Sequence, residues 1–214
     1  MVETFWLVII VGMLVLGELI RYLFELGNQK RLSKTLDRRK RELSYLSFIT
    51  SHALSKNDPI DQSFNLYLDD LRERIGWKFH SLWRLDEEKQ VVRIRFTGGL
   101  PDWYMKELSD QWLIRVGDAS IGRAVSTKQP CTVNLAEVDP RFKNVSSYGE
   151  RADYHCLSCY PLIGKLKTHG GFCTYGTHQN MFSLHDVKFM LTCANLYASI
   201  LEDKLLSAAL FQKR

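Results

Sequence analysis

The chain has 214 residues, enough for one or two domains, and a formal net charge of +5. That charge is unevenly placed, because residues 51–214 contain nearly equal numbers of basic and acidic side chains. A nearly neutral domain lacks the basic face that binding to a phosphate backbone requires, so we expect no nucleic-acid partner. The five cysteines are an odd number, which fits a reducing compartment better than a disulfide framework.

An apolar segment opens the chain. No charged residue interrupts the run from Phe5 to Gly17, and apolar residues continue to Phe24. Because about 20 residues are needed to cross a bilayer, residues 5–24 are predicted to form a transmembrane helix that follows a short extracytoplasmic N-terminus, residues 1–4. A secretory signal peptide is the alternative, but its positively charged start and small-residue cleavage site are both missing.

Charged residues in and after this segment predict its orientation. Glu18 and Arg21 lie three residues apart on one helix face, where they can neutralise each other; the alternative is that Glu18 contacts a membrane partner. A basic stretch follows the segment: Lys30, Arg31, Lys34, Arg38, Arg39, Lys40 and Arg41. By the positive-inside rule, the N-terminus lies outside the cell (inner) membrane and the rest of the chain in the cytoplasm.

The remaining residues predict a basic helical connector (25–50), one folded domain (51–205) and a short C-terminal tail (206–214). Within the domain, apolar spacing and turn residues predict a helix at 58–76, strands at 79–85 and 91–96, helices at 100–108 and 120–127, a strand at 130–135, a polar loop at 136–154, strands at 157–165 and 170–177, and a helix at 183–205. This order indicates an α+β fold, in which helices pack on an antiparallel sheet.

The last helix carries two apolar stripes. One stripe can cover the sheet, whereas the second needs cover from the N-terminal helix or from another subunit. The second stripe consists of Met190, Cys193, Tyr197 and Ile200.

Several short segments, in this order, resemble a GAF domain over about residues 43–205. They are Gly117–Val125, Gln129-Pro130, Asp139–Phe142, Ser158–Leu162 followed by Gly170-Gly171, and Phe182–Asp186. The resemblance implies a sensory or regulatory module whose sheet has terminal helices on one side and a small-ligand pocket on the other. Dimerisation through terminal helices is common in that family, so the resemblance is also consistent with a homodimer.

Two ligand classes of that family fit this sequence poorly, and the cofactor stays unknown. Asn180, Phe182 and Asp186 give only a partial version of the cyclic-nucleotide motif. The order His155-Cys156 reverses the Cys-His pair that members with a covalent bilin usually carry.

The cysteines give two interpretations. In a regular strand Cys156 and Cys159 point to opposite faces, and a second Cys-x-x-Cys is missing, so we expect no metal site. A branch of the resembled family reduces free methionine sulfoxide with cysteines, which makes Cys131, Cys156 and Cys159 candidate catalytic residues of a thiol-dependent enzyme. The other interpretation is that all are small buried residues in a reduced protein.

Aromatic and polar side chains of the resembled domain form the candidate ligand site. They are Trp83, Tyr104, Asn134, Arg141, Ser158, Tyr160 and Tyr175. Such a set suits a small planar ligand, although it suits an ordinary core as well.

Because no effector segment follows the last predicted helix, we expect any output to pass to another polypeptide. The leading hypothesis is a non-catalytic, membrane-anchored regulatory or scaffolding protein that acts through a membrane partner or as a homodimer, in response to a small ligand. The alternatives are the thiol-dependent enzyme and a ligand-free interaction module.

Overall fold

The structure is a computed structural model that describes residues 2–54, 59–111, 113–134 and 146–211. The chain divides into two compact units, Met1–Ser44 and Tyr45–Arg214.

The first helix, α1, runs from Val2 to Leu54. The side chains of residues 2–12, 14 and 15, where much of the predicted membrane segment lies, fall outside the described residues. Arg21 forms the expected ion pair with Glu18, at 2.8 Å. Over the residues that the structure describes, none of the helices has the length and apolar character that a membrane crossing requires.

The second unit is an α+β domain, as predicted. Its elements after α1 are α2 (Ile60–Ile75), β1 (Phe79–Asp86), β2 (Val91–Gly98), α3 (Asp102–Gln111), β3 (Ile114–Arg115), α4 (Ala119–Thr127), β4 (Cys131–Asn134), α5 (Ser146–Ala152), β5 (Cys156–Ile163), β6 (Thr168–Gly176) and α6 (Leu184–Phe211). Within the described residues the strands form one sheet in the order β3-β2-β1-β6-β5-β4, and each neighbouring pair is antiparallel.

One face of this sheet is covered by α2, α6 and the C-terminal end of α1. Leu82, Tyr160 and Phe172 of the sheet pack there against Tyr67 of α2 and Tyr197 of α6. Each fully buried side chain of this size contributes about 1.5–3 kcal/mol by its removal from water.

The second stripe of α6 is therefore covered within the chain. Tyr197 is fully buried, and its hydroxyl is hydrogen-bonded to that of Tyr45 in α1. Tyr45 in turn donates to the backbone carbonyl of Tyr67, at 3.1 Å. Of the two predicted covers, the N-terminal helix is the one observed.

The opposite face of the sheet holds a second core beneath α3, α4 and α5. Trp83, Cys159 and Tyr175 of the sheet pack there against Tyr104 of α3 and Ala124 of α4. Arg151 of α5 forms contacts with two residues of α3. Its two terminal nitrogens each lie 2.9 Å from a carboxylate oxygen of Glu107. Its guanidinium carbon lies 3.9 Å from the centre of the Trp103 ring.

Two short elements differ from the prediction. Residues 146–152 form α5, although their polar character predicted a loop, and residues 114–115 add β3 at the sheet edge. The rest of the predicted loop, up to residue 145, lies outside the described residues.

Candidate functional site

A small cavity lies within the second core, between the sheet and the helices that cover it. Its volume is about 30 Å³, which is room for roughly two water-sized molecules. The described residues that line it are Trp83, Tyr104, Ile114, Ala119, Ser120, Ile121, Tyr154, Leu157, Cys159, Cys173 and Tyr175. None of these lining residues is charged.

Aromatic and serine side chains form a hydrogen-bonded network at this cavity. The indole N–H of Trp83 donates to Ser81 Oγ at 2.7 Å, and Ser81 Oγ lies 2.7 Å from the hydroxyl of Tyr175. The hydroxyl of Tyr104 lies 3.5 Å from that of Tyr175 and 3.2 Å from that of Tyr154. The network places several O–H and N–H groups around one small space.

Burial fixes the protonation state of these phenols. Removal from water disfavours the phenolate, so it raises the pKa of Tyr104, Tyr154 and Tyr175 well above the ordinary value of 10.0. All of them therefore keep their protons at neutral pH, and their O–H groups make hydrogen bonds within the network.

Helix α4 presents its first turn to the same cavity. Ser120 is 2% exposed and lines the cavity, and its hydroxyl has no hydrogen-bond partner among the residues that the structure describes. The residue before the helix, Asp118, makes no side-chain capping hydrogen bond. The first N–H groups of a helix have no partner inside it and attract negative or electron-rich atoms.

The strained turn before α4 sets this arrangement. Gly117 and Ala119 have φ values of 97° and 48°. Gly122 has no side chain, and a Cβ atom at this position would lie 2.3 Å from the carbonyl oxygen of Arg115. Glycine therefore allows the helix to approach strand β3 closely. Residues 117–122 thus bring the start of α4 to the cavity wall.

Together these groups form a largely apolar site with a few hydroxyl groups, each of which can donate or accept a hydrogen bond. A partner that suits it is small and carries electron-rich oxygen atoms. Among the described residues, Ser63 Oγ, His80 Nδ1, Ser120 Oγ and Tyr160 OH are buried without a hydrogen-bond partner, and Ser120 is the one of these that lines the cavity.

The structure brings together Trp83, Tyr104 and Tyr175 from the predicted site. Ser158 and Tyr160 do not line this cavity, because β5 runs regularly from Cys156 and its even-numbered residues face the other core. There the hydroxyl of Ser158 lies 2.6 Å from Thr132 Oγ1.

The other two predicted ligand residues lie elsewhere. Asn134 is paired with Asn180: its amide nitrogen lies 2.6 Å from the Asn180 side-chain oxygen, and its own oxygen accepts from the Asn180 backbone N–H at 3.0 Å. Asn180 has a φ of 53°, so this pair stabilises the turn before α6. Arg141 lies outside the described residues.

The cysteines separate into two groups. Cys159 faces the cavity, with Cys131 opposite it on β4 and Cys173 opposite it on β6. Cys156 faces the other side and donates to the backbone carbonyl of His178 at 3.0 Å. No set of His, Cys, Asp or Glu among the described residues has a metal-binding arrangement.

Sequence reasoning missed Ser81, Ser120, Tyr154 and Cys173 as members of this site. The glycine-containing turn before α4 was a signal for Ser120, because such turns often expose a helix start. Tyr154 gave no signal, since it follows a polar segment.

Comparison with known proteins decides the family. The sequence profile described as GAF domain matches residues 57–202. The chain belongs to the GAF domain family. Among curated proteins, none matches the chain.

Solved structures of GAF domains share this fold. The GAF domain of a phosphoenolpyruvate-protein phosphotransferase from Coxiella burnetii is 21% identical, with a TM-score of 0.64 over 79% of this chain and 98% of that one. The GAF domain of A. aeolicus nlh2 is 15% identical, with a TM-score of 0.63 over 78% and 99%. A free methionine-R-sulfoxide reductase from Neisseria meningitidis is 16% identical, with a TM-score of 0.61 over 78% and 91%. At these identities the likeness concerns the fold alone.

Proposed function

We propose that this chain is a non-catalytic regulatory GAF protein that binds a small, oxygen-rich ligand in the cavity between its sheet and α4. The observation that carries the proposal is the buried hydroxyl of Ser120, which lines the cavity and has no hydrogen-bond partner among the described residues. Leaving such a group unpaired costs about 1–3 kcal/mol, and a ligand with an acceptor oxygen removes that cost.

The lining residues define the ligand class. The hydroxyl of Ser120, which has no partner among the described residues, can donate a hydrogen bond to an oxygen atom, and the first turn of α4 favours negative charge. A cavity of about 30 Å³ admits few non-hydrogen atoms without movement of its walls. Small oxyanions and small carboxylates have this size and this chemistry.

Native mass spectrometry of the 214-residue chain, purified in mild detergent, tests the proposal. Formate and acetate are the probes, and the expected result is saturable binding of one anion per chain. Replacing Ser120 removes one donor from the cavity, so Ser120→Ala should weaken binding about tenfold. Ser126→Ala is the matched control, because Ser126 lies exposed on the same helix.

Three outcomes decide the question. Retention of a small molecule by the protein as purified, lost in Ser120→Ala, also supports the proposal. Equal binding by Ser120→Ala and Ser126→Ala would mean that the ligand binds elsewhere, and it would contradict the proposal. A chain that neither retains nor binds a small molecule is instead a ligand-free interaction module.

The proposal includes an anchor in the inner membrane. Leu16, Ile20 and Phe24 of α1 are 56%, 59% and 69% exposed, and an apolar surface of this kind is costly in water. Lys40 and Arg41, on the cytoplasmic side of the predicted span, are exposed as well and suit anionic lipid headgroups. Arg38 and Arg39 are partly engaged, since both pair with Glu42, at 2.9 and 3.5 Å.

Fractionation of expressing cells tests the anchor. The double variant Leu16→Lys/Ile20→Lys should move the chain from the membrane pellet to the soluble fraction, because each charge in a span costs about 3 kcal/mol. Leu32→Lys/Leu36→Lys is the matched control, since Leu32 and Leu36 are exposed on the same helix beyond the span. Wild-type protein in the soluble fraction would contradict the anchor.

We further propose that the anchored domain acts on a membrane protein rather than through a homodimer. The apolar stripe of α6 that suggested a dimer is buried within the chain by Tyr45 and Tyr67. Cross-linking in intact membranes should therefore yield a heterologous complex. A product with twice the mass of the chain alone would favour the homodimer.

A further inference from the structure

Two buried thiols lie in contact across the centre of the sheet. Cys159 on β5 and Cys173 on β6 occupy directly opposite positions, and their sulfur atoms are 2.6 Å apart. Both side chains are free thiols and nearly fully buried, at 1% and 2% exposure.

The backbone at this pair already has the geometry that a disulfide requires. Directly opposite residues of antiparallel strands have Cα atoms about 4.5–5.5 Å apart. Disulfides form across Cα distances of about 4.4–6.8 Å. Cys159 and Cys173 can therefore be joined without movement of β5 or β6.

The same two side chains line the small cavity. Its volume of about 30 Å³ admits a molecule of two oxygen atoms, the size of hydrogen peroxide. Tyr104, Tyr154 and Tyr175 also line that space, and their hydroxyls stay protonated and form a network that an oxygen atom of the peroxide can join. Cavity and thiol pair together provide a place for the oxidant beside the group that it oxidises.

We propose that Cys159 and Cys173 form a reactive dithiol that reduces a small hydroperoxide and becomes a cross-strand disulfide. With hydrogen peroxide, the thiolate of one cysteine attacks the nearer oxygen, the O–O bond breaks, and the proton that this thiol released joins the second oxygen as water. The sulfenic acid then reacts with the other thiol, the S–S bond forms, and its hydroxyl leaves with the second thiol proton as another water. The dithiol is oxidised by two electrons and the hydroperoxide is reduced by two.

Burial of the thiols limits the rate of this reaction. Removal from water, followed by the contact with Cys173, raises the pKa of the Cys159 thiol, so little thiolate is present at neutral pH. Oxidation should accelerate as the pH rises. Bulky alkylating reagents, which do not fit the cavity, should modify partly exposed Cys131 before Cys159.

Peptide mapping of the 214-residue chain after exposure to hydrogen peroxide tests the proposal. The Cys156→Ser background is used, because Cys156 and Cys159 otherwise share the tryptic peptide between Arg151 and Lys165. The expected result is a chain lighter by two hydrogen atoms, with the Cys159 peptide linked to the Cys173 peptide. Cys156 faces the other core, so its replacement should leave the link unchanged.

Cys173→Ser provides the second arm. Oxidation of this variant should stop at a sulfenic acid on Cys159, which a 1,3-dione reagent captures, and no disulfide should form. A link between Cys159 and Cys131, its other neighbour in register, would overturn the assignment of the pair. So would thiols that remain fully reduced in a peroxide-treated chain, a result that needs no variant to fold.

Discussion

Ser120 carries the clearest mismatch between a residue and its surroundings. Its hydroxyl is buried without a partner in the described part of the chain, although serine is a poorer helix former than alanine. The sequence alone could not reveal this, because a serine in the first turn of a helix is usually a cap or a solvent-exposed residue.

Replacing Ser120 should therefore stabilise the protein. In Ser120→Ala, removal of an unpaired buried group should raise the free energy of unfolding in the absence of added ligand by about 1 kcal/mol. Urea denaturation measures this change, and Ser126→Ala should stay within about 0.5 kcal/mol of wild type. Loss of stability in Ser120→Ala would mean that the hydroxyl already has a partner.

His80 should make stability depend on pH. It is fully buried, and its Nε2 lies 2.8 Å from the carbonyl oxygen of Leu68. Burial lowers the pKa of His80 from 6.5 to about 4, so below pH 6.5 the unfolded chain binds the proton more tightly than the folded one. The stability that neutral His80 provides is complete above pH 6.5 and is lost as the pH falls towards 4.

Urea denaturation at pH 7 and pH 5 tests this point. Wild type should lose about 2 kcal/mol more between these values than His80→Gln, which keeps a donor for the Leu68 carbonyl and does not titrate. Equal losses in the two proteins would show that His80 does not carry the dependence.

Among the elements, the turn of the β5–β6 hairpin is hydrogen-bonded to α6 through the carboxylate of Glu202. Glu202 accepts from the backbone N–H groups of Lys165 and Leu166, at 2.8 and 2.9 Å, and lies 3.2 Å from His169 Nε2. These bonds, the one from Leu166 foremost, hold the pKa of Glu202 below its ordinary value of 4.5. The hairpin turn thus uses a side chain from a helix to satisfy its backbone.

Glu202→Gln should weaken this contact. A depressed pKa means that the ionised form stabilises the fold above about pH 4.5 and that this stabilisation is lost as the pH falls further. The variant should therefore be less stable than wild type at pH 7, and the difference should shrink at pH 3, as measured by thermal denaturation. Asp203→Asn, at the exposed neighbouring position, should show no such pH-dependent gap.

The long elements were predictable from the sequence, and the short ones were not. Helices α2 and α6 and the hairpin of β1 and β2 follow from apolar spacing and from Gly76, whose φ is 80°. Strand β3 has two residues and α5 has seven polar-rich ones, so neither presents a complete period to detect. The partner of α6 depended on contacts far apart in the chain.

For the whole molecule, the sequence predicted the domain but only part of its site. Trp83, Tyr104 and Tyr175 meet at the cavity as expected. Ser158 and Tyr160 do not, because β5 is buried on both faces and shows no polar alternation from which to read the direction of its side chains. The direction of these side chains follows from the packing of the folded strand, in which Tyr160 lies in one core and Cys159 in the other.

The apolar N-terminal segment and the GAF domain belong to different units of the chain. The first unit presents exposed apolar and basic side chains, and the second encloses the small cavity, so the proposed anchor and the proposed ligand site use separate residues. Variants of Leu16 and Ile20 should leave anion binding unchanged, and variants of Ser120 should leave fractionation unchanged.

Binding of a small anion in the cavity beside Trp83 is tested most directly by nuclear magnetic resonance of the indole N–H groups. Trp83→Phe assigns the Trp83 signal in the ¹⁵N-labelled 214-residue chain. On titration with formate, we expect a saturable shift of the Trp83 signal, with a midpoint at about tenfold higher formate concentration in Ser120→Ala, while the signal of Trp77 in the other core stays fixed. A Trp83 signal that does not move, or that moves no more than Trp77, would contradict it.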